Sequence, residues 1–258
     1  MARKTDYFVD KYSIVREIWG RADTVLFIFA GASAEFALNK AVDWLYFTGR
    51  LPADPLGRLF STVAYARQIV FSEMDAAHKT IDQIHAIHSA VEAKRHQSIP
   101  DWAYRDVLFM LIHYSIASFE LLNRKLSIPE KEEVYQVFYR VGYRMGLSGL
   151  PSGYDAWVLM RDEHIKNDLV KSSYTADLFR QYKKHLGIFR YFLLIEVQKM
   201  LVPAQVRKLL GIRSWSVLFL ILPLYKFSRK FNLDWLLKSV LLPDAYKAQI
   251  KAIDYQYK

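Results

Sequence analysis

The chain contains no cysteine among its 258 residues. That absence excludes disulfide bonds, thiolate-bound metal sites and a cysteine nucleophile, and it is typical of a reducing compartment. Glycine and proline are also scarce, at 10 and 8 residues, and no serine- or glycine-rich linker interrupts the chain. We therefore expect residues 1–258 to form one folded domain that buries most of its apolar surface.

The sequence also lacks a hydrophobic run long enough to cross a bilayer, which needs about 20 apolar residues. Its longest uncharged runs cover residues 107–119 and 214–225. The first residues are charged and contain no apolar signal core. These observations predict a cytoplasmic protein without a transmembrane helix.

Acidic side chains are scarce in the last part of the chain. Residues 1–180 carry 22 basic and 22 acidic side chains, whereas residues 181–258 carry 14 and 4, which accounts for the whole net charge of +10. Aromatic residues lie between these cations, and apolar segments rimmed by Lys and Arg are typical of surfaces that contact anionic lipid. We expect the basic part, 181–258, to pack on the domain and to contact a membrane surface peripherally. The alternative is a helical core with a solvated basic rim.

We expect no nucleic acid partner, although such a partner would accept the positive charge. The aromatic residues of this basic part lie in leucine-rich helical runs, whereas single-stranded nucleic acid is bound on open stacking platforms.

What the sequence does have is helical hydrophobic spacing nearly throughout, with no convincing strand pattern. The prediction is an all-α single domain of about ten helices. Asp54-Pro55 supplies an N-cap and a first-turn proline, and Ser72 and Asp75 resemble a capping box. The predicted helices cover residues 7–18, 23–47, 55–71, 73–95, 101–124, 129–146, 152–169, 174–201, 204–210, 214–228 and 233–252.

One candidate for chemistry is a histidine in the predicted helix 73–95. Spacings of three and four residues place His88 on an apolar face with Ile81, Ile84 and Val91. A neutral imidazole among apolar side chains needs a partner for its nitrogens. Haem iron is one such partner, and a hydrogen bond to a backbone carbonyl is the ordinary alternative.

A second candidate lies in the predicted helix 55–71, where Arg58 and Thr62 are one turn apart. A cation and a hydroxyl on an otherwise apolar face can hydrogen-bond dioxygen and stabilise developing negative charge. Arg58 has two alternative roles, which are to bind a haem propionate or to pair with Asp54 at the surface.

These segments resemble the catalytic domain shared by the bacterial latex-clearing rubber oxygenases and the fungal endoplasmic-reticulum-bound oxygenase of mycophenolic acid biosynthesis. The Pro-Leu-Gly-Arg-Leu-x-x-Thr-like helix of that family resembles residues 55–62. Its apolar-x-x-apolar-His-x-x-Val helix resembles residues 84–91, and a later histidine on a very apolar helix resembles His113. Further similar segments follow in the same order, at residues 16–20, 31–34 and 201–211.

The resemblance covers about residues 14–245. It implies an all-α domain with a globin-like core that binds haem b. It also implies that His88 is the proximal iron ligand, that Arg58 and Thr62 lie on the distal side, and that His113 belongs to the cofactor site.

Three departures from the family pattern affect these implications. A His-Pro pair common in the family is replaced by Asn-Lys at 39–40, and a distal lysine of the rubber oxygenases is replaced by Ser61. For their acidic distal base, the nearest candidate is Asp43. His85, one turn before the implied iron ligand, is a competing ligand.

The sequence therefore predicts a haem b-dependent oxygenase that acts with O₂ on an apolar, unsaturated substrate of isoprenoid or lipid type. It does not indicate the electron donor. One alternative is a non-haem iron oxygenase that binds its metal through His78, Asp82 and His85, which share a helix face. Another is a non-catalytic helical protein that binds haem or lipid. Phosphate-loop, dinucleotide-binding, zinc-protease and serine-hydrolase motifs are absent.

Overall fold

The computed structural model describes residues 6–49 and 53–230. Helices make up most of this part of the chain, and it contains no β-strand. Two isolated bridges join Tyr7 to Glu73 and Asn39 to Leu169. The predicted all-α fold is confirmed.

The helices follow one another through short connections. In chain order they are α1 (Ile14–Trp19), α2 (Ala22–Phe36), α3 (Asp43–Phe47), α4 (Pro55–Phe71), α5 (Met74–Arg95), α6 (Asp101–Leu122), α7 (Ile128–Arg144), α8 (Tyr154–Asn167), α9 (Ser173–Leu201), α10 (Ala204–Leu210) and α11 (Leu218–Lys230). From α4 to α10 the predicted bounds differ from these by at most two residues. The predicted helix 214–228 begins only at Leu218, and the predicted helix 233–252 lies outside the described residues.

The prediction of a helix over 7–18 is wrong in its first half. Helix α1 begins only after Ser13, whose hydroxyl caps the first turn. The segment before it pairs with the turn between α4 and α5, where the Phe8 N–H donates to the Ser72 carbonyl at 3.3 Å. These long-range bonds satisfy backbone groups that a helix would have paired locally.

The prediction of one helix over 23–47 is also wrong, because the chain leaves the helix between α2 and α3. There the Lys40 N–H donates to the Asp168 carbonyl at 3.0 Å, and the Val170 N–H donates to the Leu38 carbonyl at 2.7 Å. Pairing with the segment that follows α8 replaces the helical bonds of this stretch.

The start of α4 is as predicted, and the start of α5 is not. The Asp54 carboxylate accepts the Gly57 N–H at 2.9 Å and so caps α4. A capping box from Ser72 does not form, because Ser72 ends α4 and the extended Glu73 precedes α5 without a side-chain cap.

Helix α6 runs through the centre of the fold and contacts α2, α7, α8 and α9. Its contact with α2 includes Gly31. A Cβ atom there would lie 2.3 Å from Cδ1 of the buried Tyr114 ring, so only glycine allows the two helices to pack this tightly.

A charged network lies inside the bundle. The Glu35 carboxylate accepts two bonds from Arg161, each 2.5 Å long, and one from the Tyr114 hydroxyl at 2.8 Å. Asp106 lies 3.6 Å from the same guanidinium and accepts a hydrogen bond from the Asn39 amide. Glu35 and Asp106 are fully buried. Helices α2 and α8 are therefore joined by an ion pair, and α6 is joined to α2 by the hydrogen bond of Tyr114.

Helix α9 changes direction at Gly187, whose φ of 73° and ψ of 171° lie outside the helical region. The part before the kink packs on the bundle through the buried Leu178 and Tyr182. Among the described helices, none combines the length and apolarity that crossing a bilayer requires.

Candidate functional site

A cavity of about 340 Å³ lies between α2, α4, α5 and α6, with further wall residues from α3, α7 and α9. Isoleucine, leucine, valine, phenylalanine and alanine side chains form most of its wall. The wall residues that carry a polar side-chain group are Ser33, Asn39, Trp44, Arg58, Thr62, Tyr65, His88, Tyr104 and Tyr182. Such a cavity favours an apolar ligand with a few fixed polar contacts.

Two of the predicted site residues are brought together by the hairpin of α4 and α5. Arg58 lies 13 residues before Phe71, the end of α4, and His88 lies 14 residues after Met74, the start of α5. Since the two helices pack side by side after a turn of two residues, Arg58 and His88 come to the same level of the hairpin. Both line the cavity.

The His88 side chain is half-buried, and its Nδ1 atom is buried without a hydrogen-bond partner. Burial, followed by the charge of Arg58, lowers the pKa of His88 to about 4. The backbone of Ile84 acts in the opposite direction and raises the pKa of His88. Its contact with the imidazole does not have the geometry of a normal hydrogen bond. His88 is therefore a neutral imidazole at physiological pH, the form that binds metals.

Tyr104 holds the imidazole of His88 from the side. The two rings meet edge to face, with centroids 5.3 Å apart and planes at 87°. The Tyr104 hydroxyl donates to the Glu92 carboxylate at 3.3 Å, and the same carboxylate oxygen accepts the Ile99 N–H at 2.7 Å. Residues from α5, α6 and the loop between them thus fix the position of Tyr104.

On the α4 side, Thr62 bonds within its own helix. Its hydroxyl donates to the Arg58 carbonyl at 3.1 Å, and the Ser61 hydroxyl donates to the same carbonyl at 2.7 Å. The Thr62 hydroxyl proton is therefore directed along the helix, and the oxygen retains lone pairs that can accept a hydrogen bond.

The structure places Asp43 beside the cavity and not in its wall. The Asp43 carboxylate pairs with Arg95 at 2.6 Å, and the Arg95 guanidinium lies 4.1 Å from the ring centre of Trp44. Trp44 itself lines the cavity. In this arrangement, Asp43 fixes the short helix α3 against the end of α5.

His113 is not in the cavity that contains His88. It lines a separate cleft of about 350 Å³ further along α6, together with Trp157 and Arg161. Burial lowers the pKa of His113 to about 4, and its Nε2 atom has no hydrogen-bond partner. His85, the competing ligand, is an exposed residue of α5 outside the cavity wall.

The residues of the non-haem alternative make other contacts. The Asp82 carboxylate accepts a bond from Arg144 at 2.7 Å, and the His78 ring lies edge-on to Phe8 with centroids 6.0 Å apart. Within residues 6–49 and 53–230, no three His, Asp or Glu side chains are grouped closely enough to hold a metal ion. The prediction of a metal site at His78, Asp82 and His85 therefore fails for the described residues.

Sequence reasoning missed Tyr104 and Trp44, because nothing local distinguishes them from other aromatic core residues. It also missed the network of Glu35, Asp106 and Arg161. A signal for that network was present, since charged residues inside otherwise apolar helices are rarely buried unless they are paired.

Comparison with known proteins gives one match. No curated protein and no solved structure is significantly similar to the chain. Residues 16–224 match the family described as ER-bound oxygenase mpaB/B'/Rubber oxygenase, catalytic domain. This match covers most of the chain and contains the cavity with Arg58, Thr62 and His88. The protein therefore belongs to this family of oxygenase catalytic domains.

Proposed function

We propose that the protein is a haem b-dependent oxygenase that uses O₂ to oxidise an apolar, unsaturated substrate of isoprenoid or lipid type. The observation that carries this proposal is the position of His88. Its neutral, half-buried imidazole lies in the wall of an apolar cavity at the level of Arg58. The oxygenase family of the chain supports the same reaction class.

The residues present suit a haem. His88 would supply a nitrogen ligand to the iron, and the apolar wall would contact the porphyrin. Arg58 carries a positive charge, which suits either a propionate or a negative charge that develops on oxygen. When bound, haem supplies the activation of O₂, and the protein supplies orientation and polarity.

The roles of the protein's own residues follow from the cavity. Its apolar wall binds the substrate mainly through burial, at roughly 25 cal/mol per Å² of apolar surface. The same wall excludes water, which strengthens the interaction of the Arg58 charge with a polar atom inside. Thr62 offers hydroxyl lone pairs one turn from Arg58.

The experiment that tests this proposal compares haem uptake by three proteins. The wild type and the His85→Ala variant should bind one haem per chain and show the same Soret band. The His88→Ala variant should lose this band, and added imidazole should restore it, because the free ligand can enter the space left by the side chain. His85 is the matched control because it lies one turn earlier on the same helix and is exposed.

Circular dichroism should show the same helix content in all three proteins. Full haem uptake by His88→Ala with an unchanged spectrum would remove His88 as the ligand. Absence of haem binding by the wild type would reject the proposal as a whole.

A non-catalytic haem or lipid carrier is the second candidate, and one observation favours it. No carboxylate of the described residues lines the cavity, since Asp43 is paired with Arg95 outside the wall. Haem-loaded protein that consumes no O₂ with reductant and a panel of unsaturated lipids would support this candidate over the oxygenase.

A further inference from the structure

Helix α11 exposes one apolar face. Leu220, Leu224 and Phe227 are 71%, 69% and 60% exposed, and their spacing of four and three residues puts them on the same side of the helix. Single exposed apolar residues are normal, but a row of three large ones on one helix face marks an interaction surface.

The second part of α9 also exposes apolar side chains. After the kink at Gly187, Ile188, Phe189 and Phe192 are exposed, with Ile188 reaching 79%. Helices α9 and α11 contact each other. We call these two groups of exposed side chains together the outer apolar face: Ile188, Phe189, Phe192, Leu220, Leu224 and Phe227.

Polar contacts fix the direction in which α11 faces. At its start, the Glu196 carboxylate accepts the Ser216 hydroxyl at 2.8 Å and the Val217 N–H at 2.9 Å. Further along, the Tyr225 hydroxyl donates to Asp23 on α2 at 2.6 Å. The side of α11 that carries Leu218 and Tyr225 therefore faces the bundle, which leaves the row of exposed side chains outward.

The chain segment that carries this face is strongly basic. Residues 181–230 contain ten Lys and Arg side chains and a single acidic one, Glu196, which is already hydrogen-bonded within the fold. Lys183, Lys184 and Arg213 are exposed. A basic segment with exposed leucine and phenylalanine side chains matches a bilayer surface, where anionic headgroups border the apolar acyl region.

We propose that the outer apolar face docks onto the surface of a bilayer that contains anionic lipid, with α11 lying parallel to the membrane plane. Helix α9 would then link the lipid to the cavity, because Tyr182 lines the cavity five residues before Gly187. Apolar molecules dissolved in the bilayer would be concentrated beside the protein. This inference does not depend on haem and goes beyond the proposed oxygenase activity.

Vesicle flotation of the full chain tests the proposal. We expect the wild type to float with vesicles of phosphatidylcholine containing about 30% phosphatidylserine at low salt. Binding should weaken at about 0.5 M salt, where charges are screened within a few ångström. The double variant Leu220→Asp/Leu224→Asp should float at least about tenfold less. The matched control Ile128→Asp/Leu159→Asp changes two exposed apolar residues on other helices and should float like the wild type.

A second measurement needs no charged variant and so covers the case in which the double variant does not fold. Trp215, which is exposed just before α11, should be quenched by brominated lipid in the anionic vesicles. The quenched part of the emission should disappear in Trp215→Phe.

Three results would overturn the proposal. The first is no flotation of the wild type at low salt, and the second is equal loss of flotation in the control variant. The third is a wild-type dimer that dissociates in Leu220→Asp/Leu224→Asp and does not float, because a second copy of the chain would then cover the face.

Discussion

Tyr104 of α6 meets the His88 imidazole edge-on, with 5.3 Å between the ring centres. The Tyr104 hydroxyl bonds to Glu92, which lies one turn after His88 on α5. The histidine and the acceptor of the tyrosine thus belong to one helix, and the tyrosine comes from another. These contacts among His88, Tyr104 and Glu92 restrict rotation of the imidazole. The orientation of the imidazole decides whether it can bind a ligand in the cavity.

We therefore expect Tyr104→Ala to weaken haem binding about 10- to 100-fold, the usual effect of losing a residue that orients a metal ligand. Tyr104→Phe keeps the ring edge and should stay within a few-fold of the wild type. Titration of haem into each protein, followed by absorbance, measures both values. Equal affinity in the wild type and the alanine variant would show that Tyr104 does not position His88.

Arg58 should control how the ferric, haem-loaded protein binds small anions. Its positive charge lies at the level of His88 in an apolar cavity, where charge interactions are strong. We expect Arg58→Leu to weaken fluoride binding about 10- to 100-fold, in line with the loss of a hydrogen bond to a charged group. Arg58→Lys keeps the charge without the planar guanidinium. Its fluoride affinity should lie between those of the wild type and Arg58→Leu. An unchanged fluoride affinity in Arg58→Leu would place the guanidinium away from the ligand.

Asp106 should make the folded protein less stable as the pH rises. Burial first, and the charge of Glu35 second, raise its pKa from the usual 3.8 to about 7, against the effect of Arg161. Between these two values the folded state holds a proton that the unfolded chain has lost. The contribution of this group to the free energy of unfolding therefore falls from about pH 4 to about pH 7 and stays low above that.

Asp106→Asn removes this dependence of stability on pH. The variant keeps an oxygen that can accept a hydrogen bond from the Asn39 amide. Relative to the wild type, the variant should gain roughly 2–4 kcal/mol in free energy of unfolding between pH 4 and pH 8, since each unit of pKa shift corresponds to about 1.4 kcal/mol. Urea unfolding of both proteins at several pH values measures the difference. A difference that stays constant with pH would mean that Asp106 is ionised in the folded protein throughout.

Gly31→Ala should destabilise the fold by about 1–3 kcal/mol or more, because the added methyl group would overlap the buried Tyr114 ring. Gly153→Ala is the control. Its added Cβ meets no atom closer than 3.5 Å, and it should cost less than about 1 kcal/mol, as expected for alanine at an N-cap. Thermal unfolding checks both variants, and equal losses would argue against the tight contact of α2 and α6.

Periodicity predicted the helices from Pro55 to Leu210 because their apolar residues recur at helical spacing, and several of them have a local start signal such as the Asp54 cap of α4. It failed at residues 37–42, where no proline or glycine marks the break. There the backbone of Leu38 and Lys40 bonds to a segment about 130 positions away. Pairing over that distance leaves no trace in local spacing.

Some of the predicted site residues line the cavity, and others do not. His88, Arg58 and Thr62 were predictable from two short patterns, and the hairpin brings all three to one cavity. Asp43 and His113 were expected at the same site, and the structure places Asp43 in an ion pair and His113 in another cleft. The side of a helix that faces a cavity depends on how all the neighbouring helices pack. No single segment of the sequence determines this packing.

The ion pair of Glu35 and Arg161 has a consequence for how the chain assembles. An intermediate in which α2 is enclosed by the bundle before α8 arrives would bury a carboxylate without its counterion, at a cost of several kcal/mol. Partly built forms of that kind are strongly disfavoured. Folding should therefore add α2 and α8 cooperatively.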